Sequence, residues 1–372
     1  MRSWREWAEL EGAGIRASGR WRQPRSIDAL GPEGTLDDGT KVVAFASNDY
    51  LGLTGHPAVR RAAVEAVERW GTGSGSARLI VGSRPVHDEL ERELAAWKGE
   101  EAAVLFPTGF MANLGVVTTF GGAGVTILSD ELNHASIIDG TRLARAEARV
   151  YRHADADHVE ALLGEVDGPA VVVTDSVFSM DGDLAPVGRL AELCSRHGAL
   201  LVLDEAHEIL EPAQPTGDAE VVRVGTLSKT LGSLGGFVAT SGPLAELLVN
   251  RARSFIFTTA SSPADAAAAL AAVRVVRSRE GAALVARLRA NVDRVRPGHP
   301  SPVVPVVVGG EEATLQVADA LRARGVLVPA VRPPTVPPGT SRLRVAISAA
   351  HTAGQLDSLV EGLDACLPGW RG

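Results

Sequence analysis

Between residues 102 and 240 the chain alternates short apolar runs with longer stretches of helical period. The runs Ala102–Phe106, Val125–Leu128, Val171–Thr174, Leu200–Leu203, Val221–Val224 and Phe237–Thr240 read as buried strands, and helical patterns fill several of the gaps between them. That order predicts an α/β class with a mostly parallel central sheet and helices on both faces. Ahead of it, a helix is expected over 57–70, opened by Pro57 near its first turn. Another is expected over 86–97, where Leu90, Leu94 and Trp97 recur three or four apart. Residues 1–40 read as a polar, Gly-rich arm: an amphipathic opening helix, then an irregular stretch. Ala-rich helices over 264–276 and 282–295 resemble a connector. Beyond Pro297, Pro-rich strands and helices near 312–325 and 353–366 suggest a smaller α+β domain. The expected division is an arm at 1–40, a large domain at 41–275 and a small C-terminal domain at 276–372. The prolines of Arg332–Gly339 predict a stiff extended loop.

Composition removes several alternatives. The 372 residues are 45% apolar and carry a net charge of −8, enough apolar content for a large core and the wrong sign for a general nucleic-acid or membrane-surface binder. Cys194 and Cys366 are the only two cysteines, 172 residues apart and without a Cys-x-x-Cys pair, and read as reduced thiols, with no metal expected. The opening Met1–Trp7 lacks a signal-like apolar stretch, and no apolar run is long enough to span a bilayer, so a cytoplasmic location is expected.

Candidate chemistry concentrates in two segments. Leu200–His207 is an apolar run that ends in Asp204, Glu205 and His207; Gly225–Thr230 then sets Lys229 among Thr226, Ser228 and Thr230, ahead of the Gly-rich Leu231–Gly236. In an α/β sheet both lie just beyond the carboxyl ends of strands, where ligands bind. A lysine amine for a Schiff base and a carboxylate for a pyridinium nitrogen are the pair that pyridoxal 5′-phosphate needs. Lys229 is one of only three lysines, with Lys41 and Lys98. His207 is placed to reach the ring's phenolic oxygen. Gly109 and Phe110, opening a helix after a strand, could offer backbone amides to the phosphate, with hydroxyls from Thr226 and Ser179. His134 could stack on the ring, or simply pack beside the sheet.

Taken together, Ser47–Leu53, Leu132–Gly140, Val177–Asp183, Asp204–His207, Gly225–Lys229 and Ala252–Thr259 resemble the α-oxoamine synthases, fold type I enzymes dependent on pyridoxal phosphate that join an amino acid to an acyl thioester. The resemblance covers about residues 40–350. It implies Lys229 as the Schiff-base lysine, Asp204 as the pyridinium partner, His207 at the ring oxygen and His134 stacked on the ring, with Gly109, Phe110, Ser179 and Thr226 around the cofactor. It also implies substrate contacts from Asn48, Arg332, Thr335 and an N-terminal arginine, Arg20 or Arg22, with Arg344 gripping the amino-acid carboxylate. The stretch from Arg332 to Arg344 looks most like the biotin-pathway branch, whose substrates are L-alanine and a pimeloyl thioester. A homodimer is implied as well. The alternatives are another member, such as one joining glycine to acetyl-CoA, or a non-catalytic binding protein on the same fold.

Three further expectations concern departures and register. Glu208–Pro212 is bulkier and more acidic than the small residues usual there, so Glu208 could face the substrate entrance. Asp175 stands where the family usually has glutamate. Strand alternation is expected to send Arg342 and Arg344 to opposite faces.

Overall fold

The structure is a computed structural model and describes residues 3–210 and 215–371. Its centre is a seven-stranded sheet in the order Ala102–Phe106, Gly236–Thr240, Val221–Thr226, Leu200–Asp204, Ala170–Asp175, Thr126–Asp130, Glu147–Tyr151. Gly236–Thr240 runs antiparallel to both neighbours, and the remaining pairs are parallel. All six expected runs are strands of this sheet. The seventh, Glu147–Tyr151, is an edge strand whose side chains are mostly in water, so it carries charges and gives no apolar signal.

Helices cover both faces because the inner strands are buried throughout, as in Ala170–Asp175. Pro263–Val276 packs on Pro57–Trp70 and Pro85–Lys98. Its buried Ala266, Ala267, Ala268, Ala269 and Ala272 leave little side chain between the backbones, which permits that close approach. A second, three-stranded antiparallel sheet joins Val303–Gly309, Ser341–Ala346 and Ala330–Val331.

The stretch after the opening helix is more ordered than its composition suggests. Ile27–Ala29 and Glu33–Leu36 pair antiparallel, and the next strand, Lys41–Ala44, runs parallel to Val326–Leu327. Strands of three or four residues with exposed faces produce no alternation for a pattern reading to find. The opening helix Trp4–Ala17 buries no residue, and Trp4 remains 82% exposed.

Two sequence expectations fail here. Arg342 and Arg344 are two residues apart on one strand, so they share a face; alternation separates neighbours, not next-neighbours. Both are buried and both reach the segment around Ser179–Asp181: Arg344 Nε donates to Ser179 O at 2.5 Å, and Arg342 pairs with Asp181. Glu208 is not among the residues lining the cavity at the proline loop. Its carboxyl is pushed up by burial and by Glu205, and it bonds to Ser176. Glu211 and Pro212 lie outside the described residues.

Candidate active site

Parallel register sets the site. Asp175 and Asp204 stand opposite one another at the ends of adjacent strands, and Thr226 ends the next strand over. From Thr226 the chain turns back into Gly236–Thr240 through a tight loop, closed by Leu227 N to Gly235 O at 2.9 Å and Gly232 N to Lys229 O at 2.9 Å. Gly232 has φ +59°, and a Cβ there would stand 2.5 Å from Thr54 N, so the turn requires glycine. The turn aims Lys229 inward.

Lys229 Nζ lies 2.8 Å from His207 Nε2. Burial lowers its pKa from the usual range, while Asp204 and Asp175 oppose that shift. His207 is held well below its ordinary value, first by burial and then by Lys229, Arg344 and His134, so it is a neutral imidazole. Asp204 is fixed from two sides: Asn113 Nδ2 donates to Oδ2 at 2.6 Å and Ala206 N to Oδ1 at 3.0 Å. Asp175 accepts from His134 N at 3.1 Å, and burial beside Asp204 raises its carboxyl well above the carboxylate range.

His134 caps the helix Ala135–Ala144, its ring accepting from Ser136 N; burial lowers its pKa against the pull of Asp204. Gly109 and Phe110 open the helix Gly109–Phe120, whose cap Thr108 accepts from Met111 N. A Cβ on Gly109 would approach Thr226 Cβ to 3.3 Å, so that helix start abuts Thr226, whose Oγ1 lies 2.7 Å from Ser228 Oγ. The first amides of that helix thus lie beside the Thr226 and Ser228 hydroxyls, a setting that suits an anion.

Arg344 closes the other side. Its Nη1 donates to Asn48 Oδ1 at 3.1 Å. A cavity of about 630 Å³ opens next to it, lined among others by Arg20, Phe178, Ser179, Thr335 and Arg342. Arg20 lines that cavity while pairing with Glu311 at 2.8 Å; Arg22 is exposed and is not part of the lining. Arg332 is not part of it either: its Nη1 donates to Gly19 O at 2.9 Å and ties the arm to the proline loop.

Several residues escaped the sequence reading. Asn113 is a helical turn beyond Gly109 on the same face, which was the available hint. Tyr50, whose Oη lies 2.6 Å from His207 Nδ1, gave none. Glu205, next to Asp204, points into an ion cluster instead, pairing with Lys98 at 2.6 Å and Arg223 at 2.6 Å.

A half-buried lysine turned in beside a buried aspartate at the carboxyl edge of this sheet defines a fold type I transferase. The sequence matches the aminotransferase class I and II family over residues 40–363, and the chain belongs to that family. It is 48% identical over 371 residues to an 8-amino-7-oxononanoate synthase of Alkalilimnicola ehrlichii, covering 94% of this chain and 95% of the relative. It is 49% identical over 365 residues to one of Anaeromyxobacter dehalogenans, covering 92% of each. Among solved structures, a serine palmitoyltransferase variant from S. paucimobilis with bound PLP–myriocin aldimine superposes with TM-score 0.90 at 29% identity, covering 98% of both chains.

Proposed function

We propose that the chain is a pyridoxal 5′-phosphate-dependent C-acyltransferase with the activity of its curated relatives, 8-amino-7-oxononanoate synthesis. L-Alanine and a pimeloyl thioester would give 8-amino-7-oxononanoate, CO2 and the freed thiol of CoA or acyl-carrier protein. The observation that carries the reading is the buried Lys229 amine, held by His207 and facing the fixed carboxylate of Asp204.

The residues present fit the cofactor. Lys229 offers the amine to be bonded, Asp204 a buried charge for the ring nitrogen, and His207 a contact for the ring oxygen. His134 would cover one ring face and Gly109, Phe110 and Thr226 would receive the phosphate, while Ser179, beside Arg344, would meet the cofactor from the other side. When bound, pyridoxal phosphate supplies an electron sink for the pair left when the amino acid loses its Cα proton. Lys229, its pKa lowered, is the base that takes this proton. Arg344 receives the alanine carboxylate, with Asn48 steadying the guanidinium. The acyl chain occupies the cavity, whose apolar wall of Phe178, Met180 and the proline loop shelters its methylenes, with Arg20 and Thr335 at the rim.

The same reading keeps the arm, large domain and small domain at 1–40, 41–275 and 276–372, a homodimer, and a cytoplasmic location. Among the described residues no helix is long and apolar enough to cross a membrane. The deciding experiment is thiol release by the purified protein across amino acids and acyl-CoAs. L-Alanine with pimeloyl-CoA should exceed every other pairing; a clear preference for glycine with acetyl-CoA would overturn the assignment.

A further inference from the structure

Phe178, Ser179, Met180 and Asp181 wall the acyl cavity, and the Ser179 carbonyl also holds Arg344 Nε. The loop that bears them, 177–183, closes on itself: Phe178 N donates to Asp183 O at 3.0 Å and Gly182 N to Phe178 O at 2.8 Å. One side rests on the small sheet, where a Cβ on Gly182 would run into Val303 O. The other side meets His153, just beyond the edge strand Glu147–Tyr151. His153 Nδ1 lies 3.0 Å from Asp130 Oδ1 and Nε2 lies 2.7 Å from Asp183 Oδ2. Its ring stands edge-on to Phe178, with centroids 4.3 Å apart.

Counting donors fixes the charge on that ring. Asp130 also accepts from Leu132 N at Oδ1, 2.9 Å away, and from Ala154 N at Oδ2, 2.8 Å away. A carboxylate with a donor on each oxygen leaves Nδ1 to be an N–H. Nε2 shares a second proton with Asp183, and imidazole is the stronger base of that pair. Both nitrogens therefore carry protons, and the ring is an imidazolium. These bonds, to Asp130 first and then to Asp183, raise its pKa to about 10. Ala154, at φ +51°, adopts a left-handed conformation that alanine resists, and the Asp130 carboxylate that holds His153 holds this turn as well.

We propose that His153 is a positioning residue for substrate binding: shared between Asp130 and Asp183, its imidazolium holds the loop so that Ser179 presents its carbonyl to Arg344 and Phe178 walls the acyl cavity. The link is short, because Asp183 bonds Phe178 through the backbone and Ser179 is the next residue. Other titratable groups face this corner. Glu131 accepts from the His153 amide, and Tyr151 lies beside Asp130. Arg152 pairs with Asp155 on the following turn, where His158 accepts from the Arg152 amide. Asp181 pairs with Arg342 across the loop, and His299 senses Asp183 from the small sheet.

The inference rests on the proposed function for its substrates. If that reading fails, the wild type releases no thiol; if this inference fails, variants match a working wild type. In the holoenzyme, His153→Asn should raise KM for both L-alanine and pimeloyl-CoA by about tenfold, the value of one well-placed hydrogen bond. Its kcat should change by less than about threefold, because binding is lost and chemistry is not. Asp183→Asn keeps an oxygen for Nε2–H and removes one of the two charges, so the His153 pKa should fall by roughly 1–3 units. The ratio of its KM values to those of the wild type should then climb as pH rises from about 7 to 9, where His153 now loses its proton. Adding His153→Asn to that variant should abolish the climb. In 15N-histidine spectra of the wild-type holoenzyme, one of the nine rings should still carry both protons at about pH 9. Wild-type KM values in His153→Asn, a ratio that stays flat with pH in Asp183→Asn, or nine neutral rings in the wild type would each overturn the proposal. Should His153→Asn fail to fold, the Asp183→Asn profile and the wild-type spectrum decide.

Discussion

Asp204 accepts from Asn113 at one carboxylate oxygen and from the Ala206 amide at the other, so asparagine keeps the size, removes the charge and can retain only one of the two bonds. Asp204→Asn should therefore slow Cα–H exchange of L-alanine in deuterated water by on the order of a hundredfold or more, with a much smaller loss of cofactor affinity. Wild-type exchange in that variant would refute the role. Arg344→Ala should raise the alanine concentration needed for half-saturation by roughly tenfold to a hundredfold, the value of one charge-assisted contact. Because Arg342 shares its face and holds Asp181 at the cavity wall, Arg342→Ala should act chiefly on the acyl substrate. A larger effect of Arg342→Ala on alanine than on the thioester would reverse the two roles. Residues whose role follows from local context, such as Lys229 on its Gly-rich turn or Asp204 ending an apolar run, were legible in the sequence. Asn113 and Tyr50 were not, since their partners lie 91 and 157 residues away and only the fold brings them together.

At the scale of elements, the same division separates covered strands from exposed ones. The six apolar runs announced themselves because helices and neighbouring strands bury most of their side chains, even at the edge strand Ala102–Phe106; Glu147–Tyr151 and Ile27–Ala29 did not, because water satisfies their outer faces. Turns respond to backbone demands instead. Gly232→Ala combines positive φ with a Cβ 2.5 Å from Thr54 N, and should lower the melting temperature by several degrees, from about 1–2 kcal/mol of left-handed strain plus the displaced Thr54 segment. An unchanged melting temperature would mean the turn relaxes freely. The loop at 177–183 has its own fastening: His153 bonds Asp130 at 3.0 Å through Nδ1 and Asp183 at 2.7 Å through Nε2. Those two hydrogen bonds push its pKa up to about 10. Folded His153 thus binds its proton more tightly than the unfolded chain does. Its contribution is complete below the unfolded value near 6.5 and disappears as pH rises through about 10. The difference in denaturation midpoint between wild type and His153→Asn should accordingly shrink between pH 6.5 and 10; a constant difference would show that the charge on His153 is not what fastens the loop.

For the whole molecule, exposed apolar side chains gather in one place. The turn Arg78–Gly82 packs against the Arg253–Ile256 helix, and around that contact Ile80, Val81 and Phe257 are 74%, 70% and 69% exposed. A contiguous exposed apolar cluster is a candidate for burial against another chain. If a second copy covers it, the wild type should weigh as a dimer at micromolar concentration, and Ile80→Glu should shift mass toward the monomer. A wild-type monomer would exclude that use of the surface.

The Arg344–Asn48 bond spans 296 residues and also gives the site a schedule. A ribosome adds about 5–20 residues per second, so Asn48 waits roughly 15–60 s after emerging before Arg344 is even made. Through that interval the amine, the aspartate and the sheet that bears them can already be assembled, while the grip for a carboxylate cannot. A nascent chain would thus carry its lysine and its aspartate well before the arginine that completes the grip on a carboxylate.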